Sequence, residues 1–204
     1  MHLVVNFRQL MLGLWLVWAL CWVVSGFTTK ANLRRESLGS RLSHVVPLAF
    51  GMYLVVWPRV RVPWLSVQVL PDVLARYWFG VALVALGLAF TVWARVRLGR
   101  NWSGTVTQKA DHELIRSGPY ALVRHPIYTG LLTALLGSAI ALGEPRGFLG
   151  VLIVLASFWR KLRIEEGFMR ELFPGQYERY IAEVPALVPF TTAQRSAPRS
   201  GPPP

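Results

Sequence analysis

Four long stretches of this chain carry no acidic or basic side chain: Gln9 to Thr29, Leu42 to Pro58, Tyr77 to Ala94 and Pro126 to Gly143. Each is within or near the roughly 17–25 residues an α-helix needs to cross the hydrocarbon layer, so each reads as a membrane span. A fifth run, Gly147 to Trp159, has 13 residues between Arg146 and Arg160, whose long side chains can snorkel, and it reads as a fifth span. The runs are continuously apolar rather than alternating, which favours helices over the strands of a barrel. The first run is too long for a signal peptide and has no small-residue cleavage pattern. The expected fold is all-α: a polytopic membrane protein of about five transmembrane helices with a cytoplasmic C-terminal helical segment.

The formal net charge of +12 would suit a nucleic-acid binder if it lay on one soluble face. Instead the basic residues gather in alternate connections. Lys30, Arg34, Arg35 and Arg41 separate the first two spans, and Arg95, Arg97, Arg100, Lys109, Arg116 and Arg124 separate the third and fourth. Arg160, Lys161, Arg163, Arg170 and Arg179 follow the fifth, whereas the other connections hold fewer. Membrane lipids, not nucleic acid, are the expected partners, and the positive-inside rule puts the amino terminus outside and the carboxyl terminus in the cytoplasm. A bacterial inner membrane is the expected location.

Three regions differ in character. Residues 1–98 hold spans one to three, residues 99–190 are denser in Gly, Pro, His, Tyr and paired charges, and residues 191–204 are biased toward Pro, Ser and Arg, as in a disordered tail. The lone Cys21 lies mid-span as an expected packing residue, and one cysteine forms neither an internal disulfide nor a zinc cluster. Several of the tryptophans near span ends suit interfacial anchoring, and His44 is expected at the interface too. Apart from His44, no acidic, basic or histidine side chain lies within the spans, which argues against a transporter.

Polar chemistry concentrates in three clusters. Arg124-His125-Pro126 opens span four, since proline suits a first helical turn and pushes the preceding residue toward an extended conformation. His125 and Tyr128 stand three apart and project from one side, able to donate to a carboxylate beside a helix start whose N–H groups favour an anion. Gly143-Glu144-Pro145-Arg146-Gly147 reads as a tight turn. Spans four and five then form an antiparallel hairpin, and the helical rise of about 1.5 Å per residue returns the chain to the His125 level near Arg160 to Glu166. Glu165 and Glu166 there suit a cationic or hydroxyl-rich ligand, and Arg163 is spaced to pair with Glu166. Tyr177 and Tyr180 share a helical face that could cover an adenine ring or a sulfonium.

The ordered set Gly99-Arg100-Asn101-Trp102-Ser103, His112-Glu113-Leu114, Ser117-Gly118-Pro119-Tyr120, Arg124-His125-Pro126-Ile127-Tyr128-Thr129-Gly130, Glu165-Glu166 and Phe173 through Tyr180 resembles the isoprenylcysteine carboxyl methyltransferase family. Phospholipid methyltransferases share part of the pattern. The resemblance implies a membrane methyltransferase that uses S-adenosyl-L-methionine without a Rossmann domain, and no Gly-x-Gly-x-x-Gly follows a strand here. It implies a cytoplasm-facing cofactor pocket made by the last two spans and the C-terminal segment, with a lipophilic acceptor (carboxylate, amine or lipid headgroup) entering from the bilayer. Carried over by motif, Gln108, His125 and Tyr128 contact the cofactor from one side and Glu165, Tyr177 and Tyr180 from the other, with Arg163 and Glu166 nearest the reaction. Arg163 or Arg124 would orient a carboxylate acceptor. The competing readings are a membrane isoprenoid or sterol reductase, marked by binding a reduced nicotinamide, and a non-catalytic scaffold, marked by binding no small molecule.

Overall fold

The structure, a computed structural model, describes residues 2–26, 32–35, 37–56, 62–99, 107–109 and 114–191. Six helices carry the fold: α1 (His2–Gly26), α2 (Leu38–Val56), α3 (Leu74–Leu98), α4 (Pro126–Leu142), α5 (Pro145–Leu172) and α6 (Gln176–Glu183). α1, α2 and α3 are each long and apolar enough to cross a membrane, and α4 is an apolar helix of 17 residues. The 28 residues of α5 extend about 42 Å at ~1.5 Å per residue, against a hydrocarbon core of ~30 Å. Its charged last turns therefore project beyond the apolar part.

The all-α expectation holds for the architecture, and the structure adds one feature to it. A short antiparallel ladder joins β1 (Asn32–Arg35) to β2 (Thr107–Lys109), with Arg34 opposite Gln108 and Arg35 opposite Thr107. Strands of four and three residues are too short to show a period-two pattern, so nothing in the sequence marked them.

Glycine sets the helix spacing. Gly80 and Gly87 of α3 lie against Gly137 and Gly130 of α4, where a Cβ on Gly130 would meet the Gly87 carbonyl oxygen at 2.5 Å and one on Gly80 the Gly137 oxygen at 2.7 Å. Gly51 of α2 and Gly150 of α5 make the same approach, with a Cβ on Gly150 coming 2.6 Å from the Gly51 oxygen. Small residues let helix backbones approach where lipid removes the usual hydrophobic drive between helices. These contacts make α3 antiparallel to α4 and α2 antiparallel to α5. α1 runs alongside α3 in the same direction, with Phe7 beside Tyr77 and Trp78 at one end and Ser25 beside Arg95 at the other. Direction therefore alternates from α1 through α5, and the end of α3, the start of α4 and the charged end of α5 share one end of the bundle.

Trp15 and Trp18, in the middle of α1, donate their indole N–H groups to Ser138 Oγ at 3.2 Å and Thr91 Oγ1 at 2.7 Å inside the bundle. Other side chains depart from their expected places. Cys21 is exposed on the outer face of α1 rather than packed. His44 is buried, and its carbonyl accepts from Ser157 Oγ at 2.5 Å across the α2–α5 contact. Arg146 does not snorkel: it is buried against Glu144, its Nε 2.5 Å from Oε2, and donates to the Leu54 carbonyl at the end of α2. Buried Arg95 likewise donates to Ser25 O at 2.5 Å and Gly99 O at 2.7 Å, at the C-terminal ends of α1 and α3. A guanidinium at a helix C-terminus meets carbonyls and the negative end of the dipole, which offsets its desolvation.

Candidate active site

The α4–α5 hairpin forms as its sequence reads. Gly143 closes α4 in the left-handed region at φ 72°, Glu144 is the extended N-cap of α5 and Pro145 its first residue. At the other end His125 occupies the N-cap of α4, before Pro126. No side-chain cap bond ties its ring to the helix, so the imidazole is turned toward α5.

There the two expected clusters meet. His125 Nε2 lies 3.1 Å from Glu166 Oε1, and its Nδ1 lies 3.7 Å from Glu165 Oε2. Tyr128 Oη donates to Glu165 Oε1 at 2.6 Å, and Lys161 Nζ stands 3.8 Å from the same oxygen. His125 thus faces both carboxylates, while Tyr128 and Lys161 approach Glu165 alone. The rings stack, His125 over Tyr128 at 5.5 Å and 7°, Tyr128 over Phe158 at 4.6 Å and 20°.

The arginine expected beside Glu166 is corrected. Arg163 is exposed on α5, and the partner of Glu166 is Arg124, with Nε at 2.9 Å and Nη2 at 2.8 Å from Oε1. Spacing along one helix suggested Arg163, but a residue at the start of the facing helix reaches the buried carboxylate more directly. Burial alone would raise the Glu166 pKa; the hydrogen bond and charge of His125, then the charge of Arg124, outweigh it and hold the carboxyl below its ordinary value.

Residues 184–187 form a strap across the start of α4. Arg124 N–H donates to Pro185 O at 2.8 Å and His125 N–H to Ala186 O at 3.0 Å, so the strap takes the two amides that precede Pro126. Thr129 Oγ1 donates to Leu187 O at 2.7 Å, and Arg124 Nη1 to the Ile181 and Val184 carbonyls. One guanidinium therefore joins the strap to the acidic end of α5. The sequence marked this segment only by Pro185, with no periodicity to predict the bonds.

Tyr177 and Tyr180 are both buried in an edge-to-face pair at 5.8 Å, and Tyr180 Oη donates to the Tyr120 carbonyl at 2.5 Å. Burial raises the pKa of Tyr120, Tyr177 and Tyr180 above the usual phenol range, so all three stay neutral near pH 7. Gln108 lies in β2, where only the backbone is described. Residues 100–103, 112–113 and 192–204, which hold two motif pieces and nearly all of the expected tail, lie outside the described residues. Among the described residues no group of His, Cys, Asp and Glu is placed to hold a metal ion.

Beside this network an open groove of about 750 Å³ runs between α5 and the strap, walled by Leu152, Leu155, Trp159, Leu187 and Val188, with Arg124 also lining it. The polar network and the apolar groove thus share one guanidinium.

These features define a helical membrane protein with a partly buried, carboxylate-bearing polar network at one end of a hairpin. The chain belongs to the phospholipid methyltransferase family, whose model matches residues 75–176, from the first turn of α3 to the start of α6. It is 29% identical over 175 residues, 82% of this chain and 87% of the relative, to a protein of Oryza sativa subsp. indica named "Probable protein-S-isoprenylcysteine O-methyltransferase". It is 32% identical over 124 residues, 58% of this chain and 54% of the relative, to the cobalt-zinc-cadmium resistance protein CzcN of Cupriavidus metallidurans. A solved structure of the eukaryotic intramembrane Ras methyltransferase ICMT (isoprenylcysteine carboxyl methyltransferase) is 25% identical, with a TM-score of 0.48 over 78% of this chain and 55% of that one. The chain spans about half the length of these last two. The resemblance read from the motifs is borne out by the family match and by the relative from rice.

Proposed function

We propose that this chain is an integral-membrane methyltransferase that takes its methyl group from S-adenosyl-L-methionine and passes it to a lipophilic acceptor at the cytoplasmic face, with α4 and α5 completing five spans. The observation that carries the reading is the single network of Arg124, His125 and Tyr128 from α4 with Glu165 and Glu166 from α5, bordering an apolar groove. The donor set fits the cofactor's chemistry. Two carboxylates and a stack of electron-rich rings suit a sulfonium and an ammonium group, and cations are drawn to ring faces.

In this reading His125, Tyr128 and Glu165 hold the cofactor, with Gln108, Tyr177 and Tyr180 as further proposed contacts. When bound, S-adenosyl-L-methionine supplies a methyl group open to in-line displacement. The protein's task is then to position and to exclude water. Arg124 and His125 fix the Glu166 carboxylate, Tyr128 fixes Glu165, and the strap covers the start of α4. An acceptor chain lying in the groove would bring its polar end toward Arg124. A guanidinium there favours a carboxylate acceptor, which fits the O-methyltransferase of the rice relative's name, and such an acceptor needs no base. Arg163, exposed one turn beyond Trp159 and on the same side of α5, stays a proposed contact for the acceptor rather than a partner of Glu166.

The test is methyl transfer from labelled S-adenosyl-L-methionine by the protein in lipid nanodiscs, offered lipophilic carboxylates and amines. Label is expected in a base-labile ester of a carboxylate, lost in Glu166→Gln and Arg124→Met. Transfer to an amine alone would reassign the acceptor, and no transfer to either class, with no binding of the cofactor, would end the proposal.

A further inference from the structure

We propose that the end of the strap, Val188-Pro189-Phe190, is a wedge that inserts into the boundary between lipid headgroups and acyl chains and forms one rim of the groove. Phe190 is 92% exposed and holds its backbone at φ 64°, a region that bulky side chains rarely occupy. Val188, two residues earlier, is 61% exposed. A strained backbone that turns a phenyl ring outward is not explained by packing within the chain, and such outliers point to function.

The surroundings identify the occupant. Across the groove α5 exposes Leu152, Leu155 and Trp159, so both rims are apolar and continuous with the lipid-facing side of α5. Along the same side of α5 the exposed residues then turn basic, at Arg163 and Arg170. A tryptophan followed by arginines is the order met in passing from acyl chains through the interface to phosphates, which puts Trp159 at the boundary and the strap end opposite it at a similar depth. Thr129 and the amides of Arg124 and His125 pin the strap at residues 185–187, so the wedge is held in place rather than trailing. Farther along the sequence come Arg195 and Arg199, whose charge suits an anionic headgroup layer. An apolar tip followed in sequence by arginines is the pattern of an interfacial element. This surface does not depend on methyl transfer.

The experiment uses the full chain with Cys21→Ser and a single new cysteine, Phe190→Cys or Val188→Cys, carrying an environment-sensitive fluorophore, in vesicles of phosphatidylcholine and phosphatidylglycerol. Glu178→Cys, on the exposed face of α6, is the water-facing control. Labels at 188 and 190 are expected to emit to the blue of the control, to be quenched by lipids spin-labelled near the headgroup more than by those labelled near the chain end, and to resist aqueous iodide. Iodide quenching equal to the control's would overturn the proposal. Protection from both iodide and spin-labelled lipid would also overturn it, because a protein surface would then be the cover. Unchanged thermal midpoints for the labelled variants confirm that the fold reporting these results is the native one.

Discussion

Replacing Arg124 tests which arginine completes the site. Its side chain is 8% exposed and that of Glu166 is 9%, so Arg124→Met leaves a buried carboxylate with His125 as its remaining charged or polar side-chain partner. Breaking a buried pair by removing one partner costs about 3–5 kcal/mol, and the retained imidazole at 3.1 Å puts the expectation at the lower end, about 3 kcal/mol. At roughly 2–4 °C per kcal/mol for a chain of this size, the thermal midpoint should fall by about 6–12 °C. The assay is thermal unfolding of the purified protein in lipid nanodiscs, run as a double-mutant cycle with Glu166→Gln. The double variant should be less damaged than the sum of the singles by more than about 1 kcal/mol, since no buried charge is left stranded. Arg163→Met, at an exposed position, should stay within about 0.5 kcal/mol of wild type. Equal losses for Arg124→Met and Arg163→Met, or an additive cycle, would refute the reasoning.

Three further outcomes follow from the same contacts. Gly130→Leu forces a side chain against the Gly87 carbonyl and should cost about 3 kcal/mol or more, seen as loss of the monodisperse peak in size-exclusion chromatography, whereas Gly13→Leu on α1, with open space around its Cα, should behave as wild type. Because Glu166 has a lowered pKa when folded, its contribution to stability is complete at neutral pH and is lost as pH falls through the folded-state value, below the ordinary carboxyl pKa of about 4.3. The midpoint of Glu166→Gln should therefore fall less on acidification than that of wild type, and parallel curves would argue against the assignment. Thr129→Val removes the bond to Leu187 O at 2.7 Å, for about 1 kcal/mol, and should speed hydrogen exchange at residues 186–188 while leaving α3 unchanged.

Much of this architecture was legible because its signals are local. A proline after His125 marks a helix start, Gly143 and Pro145 mark a turn, and the rise per residue alone brings Glu165 and Glu166 back to the His125 level. What was not legible depends on which surfaces face one another. Glycines at 80, 87, 130 and 137 are spaced by seven on each helix, yet only the pairing of α3 with α4 turns that spacing into a contact. Arg163 is the nearer basic residue in sequence, but the partner of Glu166 comes from another helix across the hairpin. Arg95 and Arg146 read as markers of aqueous loops, whereas each is buried among helix-end carbonyls that a sequence does not reveal. The strap bonds to α4 through backbone carbonyls, which carry no residue signature at all.

Calorimetric titration of the nanodisc-embedded protein with S-adenosyl-L-methionine tests most directly whether the mouth of the α4–α5 hairpin holds a sulfonium donor. Saturable binding is predicted for wild type, with about tenfold weaker affinity in both Glu165→Gln, which removes a carboxylate from the proposed site, and Tyr128→Phe, which removes the hydroxyl that fixes that carboxylate through a charge-assisted bond of about 1.5–3 kcal/mol. Undiminished binding in both variants would move the site elsewhere, and no heat with the wild-type protein would contradict the donor assignment itself.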